Sequence, residues 1–113
     1  MNAQDFRLEF YNEAPLSEEL ELELAAEADR RLRDLAEGHT DIIDASVSVE
    51  ELTGAETPHR YQVRAVVYMR PDNVVAVEKQ ETVKGALKGA LSAVERQVRE
   101  YRNKLRERWS SSQ

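Results

Sequence analysis

Lysine and arginine recur at three- and four-residue intervals along the C-terminal third of the chain, and that spacing is the strongest chemical signal in the sequence. If the segment is helical, Lys84, Lys88, Arg99, Arg102 and Arg106 project within about 60° of one another at about 100° per residue. The stripe would run for roughly 33 Å at about 1.5 Å per residue, long enough to meet several phosphates of a polyanion at once. Arg96 widens it, and Glu95 and Glu100 are the acidic members of the same region. The competing reading is a solvated helix face, on which cations toward the C-terminus are stabilising in their own right. Arg64, Arg70 and Lys79 add positive charge upstream, and Tyr68 stands near them as an aromatic that could stack a base, although sheet packing explains one tyrosine equally well.

Other chemistries find little support. The chain has no cysteine, which removes disulfides, thiolate metal sites and thiol catalysis. Its two histidines, His39 and His59, stand in no metal-ligand spacing, and His39 with Asp41 and Asp44 makes a poor zinc nest. Ser17, Ser46, Ser48 and Ser92 lack a nucleophile-elbow context, and there is no glycine-rich phosphate loop. The expectation is a protein that is not an enzyme, with no cofactor, no metal and no small-molecule substrate.

With 113 residues the chain can build one core and no second one. Residues 1–109 are read as one domain and the serine-rich 110–113 as a disordered tail. The N-terminus has neither a basic nor an apolar signal region and no stretch is long and apolar enough for a membrane span, so a cytoplasmic location without membrane contact is expected. A net charge of -6 argues weakly against a polyanionic partner. That average conceals two halves: residues 1–59 carry -12 and residues 60–113 carry +6. A local field steers a polyanion at short range more than a net charge does, unless folding interleaves the halves.

The elements that must position these charges follow from periodicity. Asp5 to Asn12 alternates, with Phe6, Leu8 and Phe10 on one face, as a half-buried strand does. Ser17 is placed to cap a helix whose first turn holds Glu18, Glu19 and Glu21, and Gly38 is placed to end it. Leu20, Leu24, Ala28, Leu32 and Leu35 share about 120° of that helix, while Leu22 falls outside the arc and has no role in it. Asp44 to Leu52 alternates again, with Ala45, Val47 and Val49 inward, and Thr53 to Pro58 connects it to the next strand. Arg60 to Arg70 is apolar on both faces, as in a central strand, and Pro71-Asp72-Asn73 turns into a short arm from Val74 to Lys79. Thr82 caps a long helix to about Trp109, with Val83, Leu87, Ala90, Leu91, Val94, Val98, Tyr101 and Leu105 inward. Gly85 and Gly89 fall on its outer side, where no packing demand is visible and each costs about 1 kcal/mol relative to alanine. The order is β-α-β-β-β-α, an α+β fold with two helices on one face of a four-stranded sheet.

That order, the stretch Pro58-His59-Arg60-Tyr61-Gln62-Val63-Arg64 and above all Val94-Glu95-Arg96-Gln97-Val98-Arg99-Glu100-Tyr101-Arg102-Asn103-Lys104-Leu105 resemble the ribosome hibernation promoting factor family, also called ribosome-associated inhibitor or sigma-54 modulation proteins. The resemblance runs from Phe6 to Arg108. It implies a factor that occupies the tRNA and messenger region of the small ribosomal subunit, silences idle ribosomes and contacts ribosomal RNA through basic side chains. The matching positions are Arg64, Arg96, Arg99, Arg102 and Lys104; Lys84, Lys88 and Arg106 join them on charge alone. Family members usually have an acidic residue, an aromatic and a later aspartate where this chain has Thr82, Lys84 and Lys88, and basic residues on the first helix, where Glu18 to Glu37 holds 8 acidic and 3 basic side chains. Longer members append a dimerisation domain; a chain complete at Gln113 would act without one.

The alternative is an acidic protein-interaction or self-association module that uses the first helix or the open sheet face and does not bind RNA. The two readings divide on geometry. RNA binding through the stripe requires it to be contiguous and not neutralised by Glu18 to Glu27 on the neighbouring helix.

Overall fold

The computed structural model describes residues 6–38, 41–52, 60–70 and 72–111. His39, His59, Pro71, the Thr53 to Pro58 connection, Asp5 and the last two residues lie outside that set, as do the side chains of Leu105 and Trp109. Six elements follow in order: β1 (Arg7–Asn12), α1 (Glu18–Gly38), β2 (Ile42–Glu51), β3 (Tyr61–Met69), β4 (Val74–Gln80) and α2 (Val83–Ser111). This is the expected β-α-β-β-β-α arrangement.

The strands lie side by side in the order β1-β2-β3-β4. β1 runs parallel to β2, with Leu8 opposite Ala45 and Phe10 opposite Val47. Parallel neighbours need a crossover, and α1 supplies it. β2–β3 and β3–β4 are antiparallel, so β3 is the interior strand that its two apolar faces called for. β2 begins two residues earlier than the alternation indicated, because a register shift between Ile42 and Asp44 breaks the period there. Asn73 replaces a ladder contact in the β3–β4 turn by accepting a hydrogen bond from the Met69 N–H at 3.3 Å.

Both helices start at their expected caps. The Leu20 N–H donates to Ser17 Oγ at 3.1 Å, and the Gly85 N–H donates to Thr82 Oγ1 at 3.1 Å, each satisfying a donor that the first turn leaves without a backbone partner. α1 ends at Gly38. α2 passes Trp109 and includes Ser110 and Ser111, since neither glycine nor proline interrupts Arg106 to Ser111.

α1 packs over β1 and β2, and α2 over β3 and β4. The core between the layers is apolar throughout, with Leu32, Leu87, Leu91, Val47, Val63, Val67, Val94 and Val98 at 1% exposure or less, and no buried polar side chain among the described residues. Ala45, Ala65 and Ala76 on the sheet, with Ala28, Ala86 and Ala90 on the helices, bring the two layers close. Leu22, the leucine outside the α1 arc, is 66% exposed. At 29 residues α2 is about 43 Å long at about 1.5 Å per residue, whereas the nine-residue β3 reaches about 30 Å. The excess carries the C-terminal part of the helix past the sheet and stretches the molecule to 54 × 33 × 16 Å.

Gly85 and Gly89 have a packing role, contrary to the expectation of an unconstrained outer side. A Cβ on Gly89 would stand 2.6 Å from Glu78 Cγ, and one on Gly85 would stand 2.8 Å from Thr82 Oγ1 and 3.6 Å from Gln80 Cβ. At Gly89 the obstacle is Glu78 of β4, for which glycine leaves room; at Gly85 it is Thr82, the helix's own cap, with Gln80 of β4 at ordinary contact distance.

Candidate nucleic-acid interface

The cationic residues of α2 do not form one uninterrupted stripe. Lys84 pairs with Glu23 of α1 at 3.2 Å, and Arg102 pairs with Asp41, ahead of β2, at 2.6 Å. Between Lys88 and Arg99 the same helical flank carries Ser92 and Glu95, a gap of about 16 Å at about 1.5 Å per residue. The expectation of a contiguous, unneutralised row therefore fails at both points. The cause is the position of the stripe beside the buried arc, which turns it toward α1 and its carboxylates rather than straight out to solvent.

Five α2 cations remain exposed with no ion-pair partner among the described residues: Lys88, Arg96, Arg99, Lys104 and Arg106. Arg96 lies about 170° from the centre of the buried arc, at the crest of the helix. Arg99 and Arg106 share the flank that faces α1, and Lys104 lies on the other flank of the overhanging segment. Among the described residues the C-terminal half of α2 thus presents cations over most of its circumference, with Glu100 as the exposed carboxylate among them.

Arg64 is not part of this surface. It projects from β3 between Ser48 and Val77 on the sheet face that the helices leave uncovered. The sequence grouped it with the helix cations, and the structure puts the sheet between them.

Arg31 of α1 is the residue that the sequence reading missed. Its guanidinium forks onto Glu95, with Nη2 at 2.6 Å and Nε at 3.2 Å, and Nη2 also donates to Ser92 Oγ at 3.1 Å. The side chains are 18% and 22% exposed. Glu95 is the carboxylate in the middle of the α2 gap, and Arg31 cancels its charge. The signal in the sequence was Glu95 itself, since a carboxylate on a cationic flank next to a neighbouring helix needs a cation from that helix. Arg30 binds Glu27 of its own helix at 2.8 Å, and Arg33 binds Asp29 at 2.9 Å while its Nη1 donates to the Phe6 carbonyl at 3.4 Å and its guanidinium stands 5.4 Å from the Phe6 ring centroid.

Beside the N-terminal half of α2 lies a groove of about 320 Å³ with Leu24 and Leu87 in its floor and Glu23, Glu27, Arg30, Lys84 and Lys88 around it. The Arg30 hydrogen bond lowers the Glu27 pKa below its ordinary value, outweighing desolvation, and the fields of Arg30, Arg31 and Lys88 act in the same direction. This end of the helix pair is balanced between acid and base, and the excess of positive charge lies toward the other end.

Among the described residues no helix is long and apolar enough to cross a membrane. Residues 18–106 match the family of sigma 54 modulation protein / S30EA ribosomal protein. No curated protein matches the sequence. Solved structures that share the fold include a ribosomal subunit interface protein from Coxiella burnetii (TM-score 0.62, 15% identity, 86% of this chain and 98% of the other) and the N-terminal domain of Thermus thermophilus Protein Y (TM-score 0.62, 17% identity, 89% and 99%). With the family match covering most of its length, from the first residue of α1 to Arg106, the chain belongs to the sigma-54 modulation protein / S30EA ribosomal protein family.

Proposed function

We propose that this protein is a ribosome hibernation factor: a cytoplasmic, non-enzymatic protein that docks on the small ribosomal subunit and keeps idle ribosomes from translating. Family membership supports the ribosome as partner, as does the likeness of fold to a protein called a ribosomal subunit interface protein. The observation that carries the reading is the set of unpartnered, exposed cations on α2, chiefly Arg96, Arg99, Lys104 and Arg106. Their partners are the phosphates of ribosomal RNA. Phosphate contacts dominate the affinity and position the protein without reading sequence. Lys88 adds a contact at the other side of the gap, whereas Lys84 and Arg102 enter only by exchanging Glu23 and Asp41 for phosphate.

Co-sedimentation with ribosomes through sucrose, at low and raised salt, tests the proposal. The protein should travel with the small subunit at low salt and leave it as salt rises. Arg96→Glu with Arg99→Glu should abolish co-sedimentation while circular dichroism stays unchanged. Absence from ribosomal fractions at low salt refutes ribosome binding, and undiminished binding of the double variant refutes α2 as the docking surface.

A further inference from the structure

Among the described residues, five of the six exposed large hydrophobic side chains lie on the uncovered side of the molecule: Tyr11, Ile43, Tyr68, Val75 and Val77 are 39–52% exposed, on or beside the sheet face opposite the helices. The charges of that face are divided by strand. β1, β2 and the residue after β1 carry Glu9, Glu13, Asp44 and Glu50 against Arg7, while β3 and β4 carry Arg64 and Lys79 with no carboxylate. Glu9 accepts the hydroxyl of Tyr11 and Glu50 accepts from Gln62 at 2.7 Å, whereas neither Arg64 nor Lys79 has an ion-pair partner among the described residues. A polyanion gains little from a face so nearly neutral. A surface that is acidic on one half and basic on the other is complementary to itself.

We infer that this sheet face binds a second copy of the chain, through a two-fold axis parallel to the strands that lays β1–β2 of one protomer over β3–β4 of the other. The sheet register fixes what meets. Residues 13, 50, 62 and 79 form one cross-strand row, so Lys79 of each copy comes over Glu13 and next to Glu50 of the other. One row further, Tyr11 meets Val77 and Ser48 meets Arg64. Tyr11, Glu13, Ser48, Glu50, Gln62 and Arg64 already border a shallow trough of about 320 Å³ along β1–β3, into which the β4 side chains of the second copy descend. A two-fold axis perpendicular to the strands would instead set β1 on β1, with Glu9 and Glu13 against their own copies. Strands about 4.8 Å apart and about 3.3 Å per residue give a footprint of roughly 440 Å² per protomer. That lies at the small end of protein interfaces and fits a weak, transient dimer. Both α2 helices face outward from such a dimer, so pairing leaves the cations of the proposed ribosome contact free, and the two proposals stand or fall separately.

Sedimentation equilibrium between about 10 μM and 1 mM, with amide chemical shifts followed over the same dilution, tests the inference. A monomer–dimer equilibrium should appear, with concentration-dependent shifts at Tyr11, Tyr68, Val75 and Val77. Lys79→Glu should weaken it at least ten-fold, and adding Glu13→Lys to the same chain should restore it, because the two positions meet across the axis. A protein that stays monomeric at 1 mM overturns the inference. So does a Lys79→Glu variant that dimerises undiminished, or a double variant that does not recover. Shifts at these residues that ignore protein concentration but respond to a uridine oligonucleotide would reassign the face to single-stranded RNA.

Discussion

Replacing Arg31 by alanine separates the two things its side chain does. The guanidinium forms a forked pair with Glu95 at 2.6 and 3.2 Å across the α1–α2 seam, and both side chains are about four-fifths buried. Fully exposed pairs contribute about 0.2–1 kcal/mol, while removing one partner of a fully buried pair costs about 3–5 kcal/mol. With these exposures Arg31→Ala should cost about 2 kcal/mol, which in a domain of this size lowers Tm by about 8 °C. A double-mutant cycle with Glu95→Gln, followed by thermal and urea unfolding, isolates the pair: once Glu95 is neutral, losing Arg31 should cost less by about 1–2 kcal/mol. The second effect is electrostatic. Arg31→Ala leaves a bare carboxylate between Lys88 and Arg99, and a unit charge about 8 Å from a phosphate in water costs about 0.5 kcal/mol, or about two-fold in affinity, before salt screening. Ribosome affinity should therefore fall about two-fold in Arg31→Ala at low salt and return in Arg31→Ala/Glu95→Gln. Additive stabilities in the cycle would refute the pair as a structural tie. Affinity that the second substitution fails to restore would refute its role in discharging Glu95.

Four further outcomes follow from the same geometry. Removing Arg96 and Arg99 should flatten the salt dependence of ribosome binding by about 1.4–1.8 in log–log slope, measured by co-sedimentation across a salt series, whereas Lys84→Ala should change it little because Lys84 already faces Glu23. Leu91→Ala, at a site with 0% exposure between the layers, should cost about 3 kcal/mol in urea unfolding. Gly89→Ala should gain little or lose stability, since its Cβ would collide with Glu78 Cγ, yet in a Glu78→Ala background it should stabilise α2 by about 1 kcal/mol in thermal unfolding. Acid should weaken α1 at Glu27. A carboxylate with a lowered folded-state pKa contributes stability above its unfolded value of 4.5 and loses it as pH falls through the folded value, so an acid melt of Glu27→Gln should be shallower there than that of the wild-type chain.

Local chemistry in this chain states its structure openly. Ser17 and Thr82 cap the helices at the positions where a hydroxyl precedes a glutamate-rich turn or an apolar periodic run, and the alternation of Val63, Ala65, Val67 and Met69 gives the buried face of β3. Gly89 was illegible because its reason lies on another element: Glu78 precedes it in sequence but reaches it only after β4 and α2 have docked. The charge pattern failed for a related cause. Angles around one helix place Lys84 and Arg102 on a common flank, yet whether a flank faces solvent or a neighbour depends on the packing angle, and here it meets Glu23 and Asp41. Arg64 is the opposite case: the alternation of β3 already sets it away from Val63 and Ala65, and charge alone had grouped it with the helix cations.

The acidic first helix looked like the chief obstacle to a polyanion contact, and its geometry changes that judgement. Two of its carboxylates are bound to their own helix's arginines, Glu27 to Arg30 and Asp29 to Arg33, and a third, Glu23, is held by Lys84 across the seam. The helix in turn gives Arg31 to Glu95. The α1 carboxylates beside Lys84 and Lys88 are those of the groove, Glu23 and Glu27. Past Tyr101, which still packs on the core, α2 runs on beyond the sheet, and the exposed Lys104 and Arg106 there lie more than a Debye length, about 8 Å at physiological salt, from the carboxylates of the groove. A net charge of -6 then governs how the whole molecule behaves at long range, while a phosphate on the C-terminal half of α2, near Arg96 and Arg99 over the sheet or Lys104 and Arg106 beyond it, would meet those cations at a distance where the groove's carboxylates are screened. Placing two new glutamates in the exposed N-terminal turn of α1 should accordingly change ribosome affinity far less than placing one at Arg99, although both make the chain more acidic.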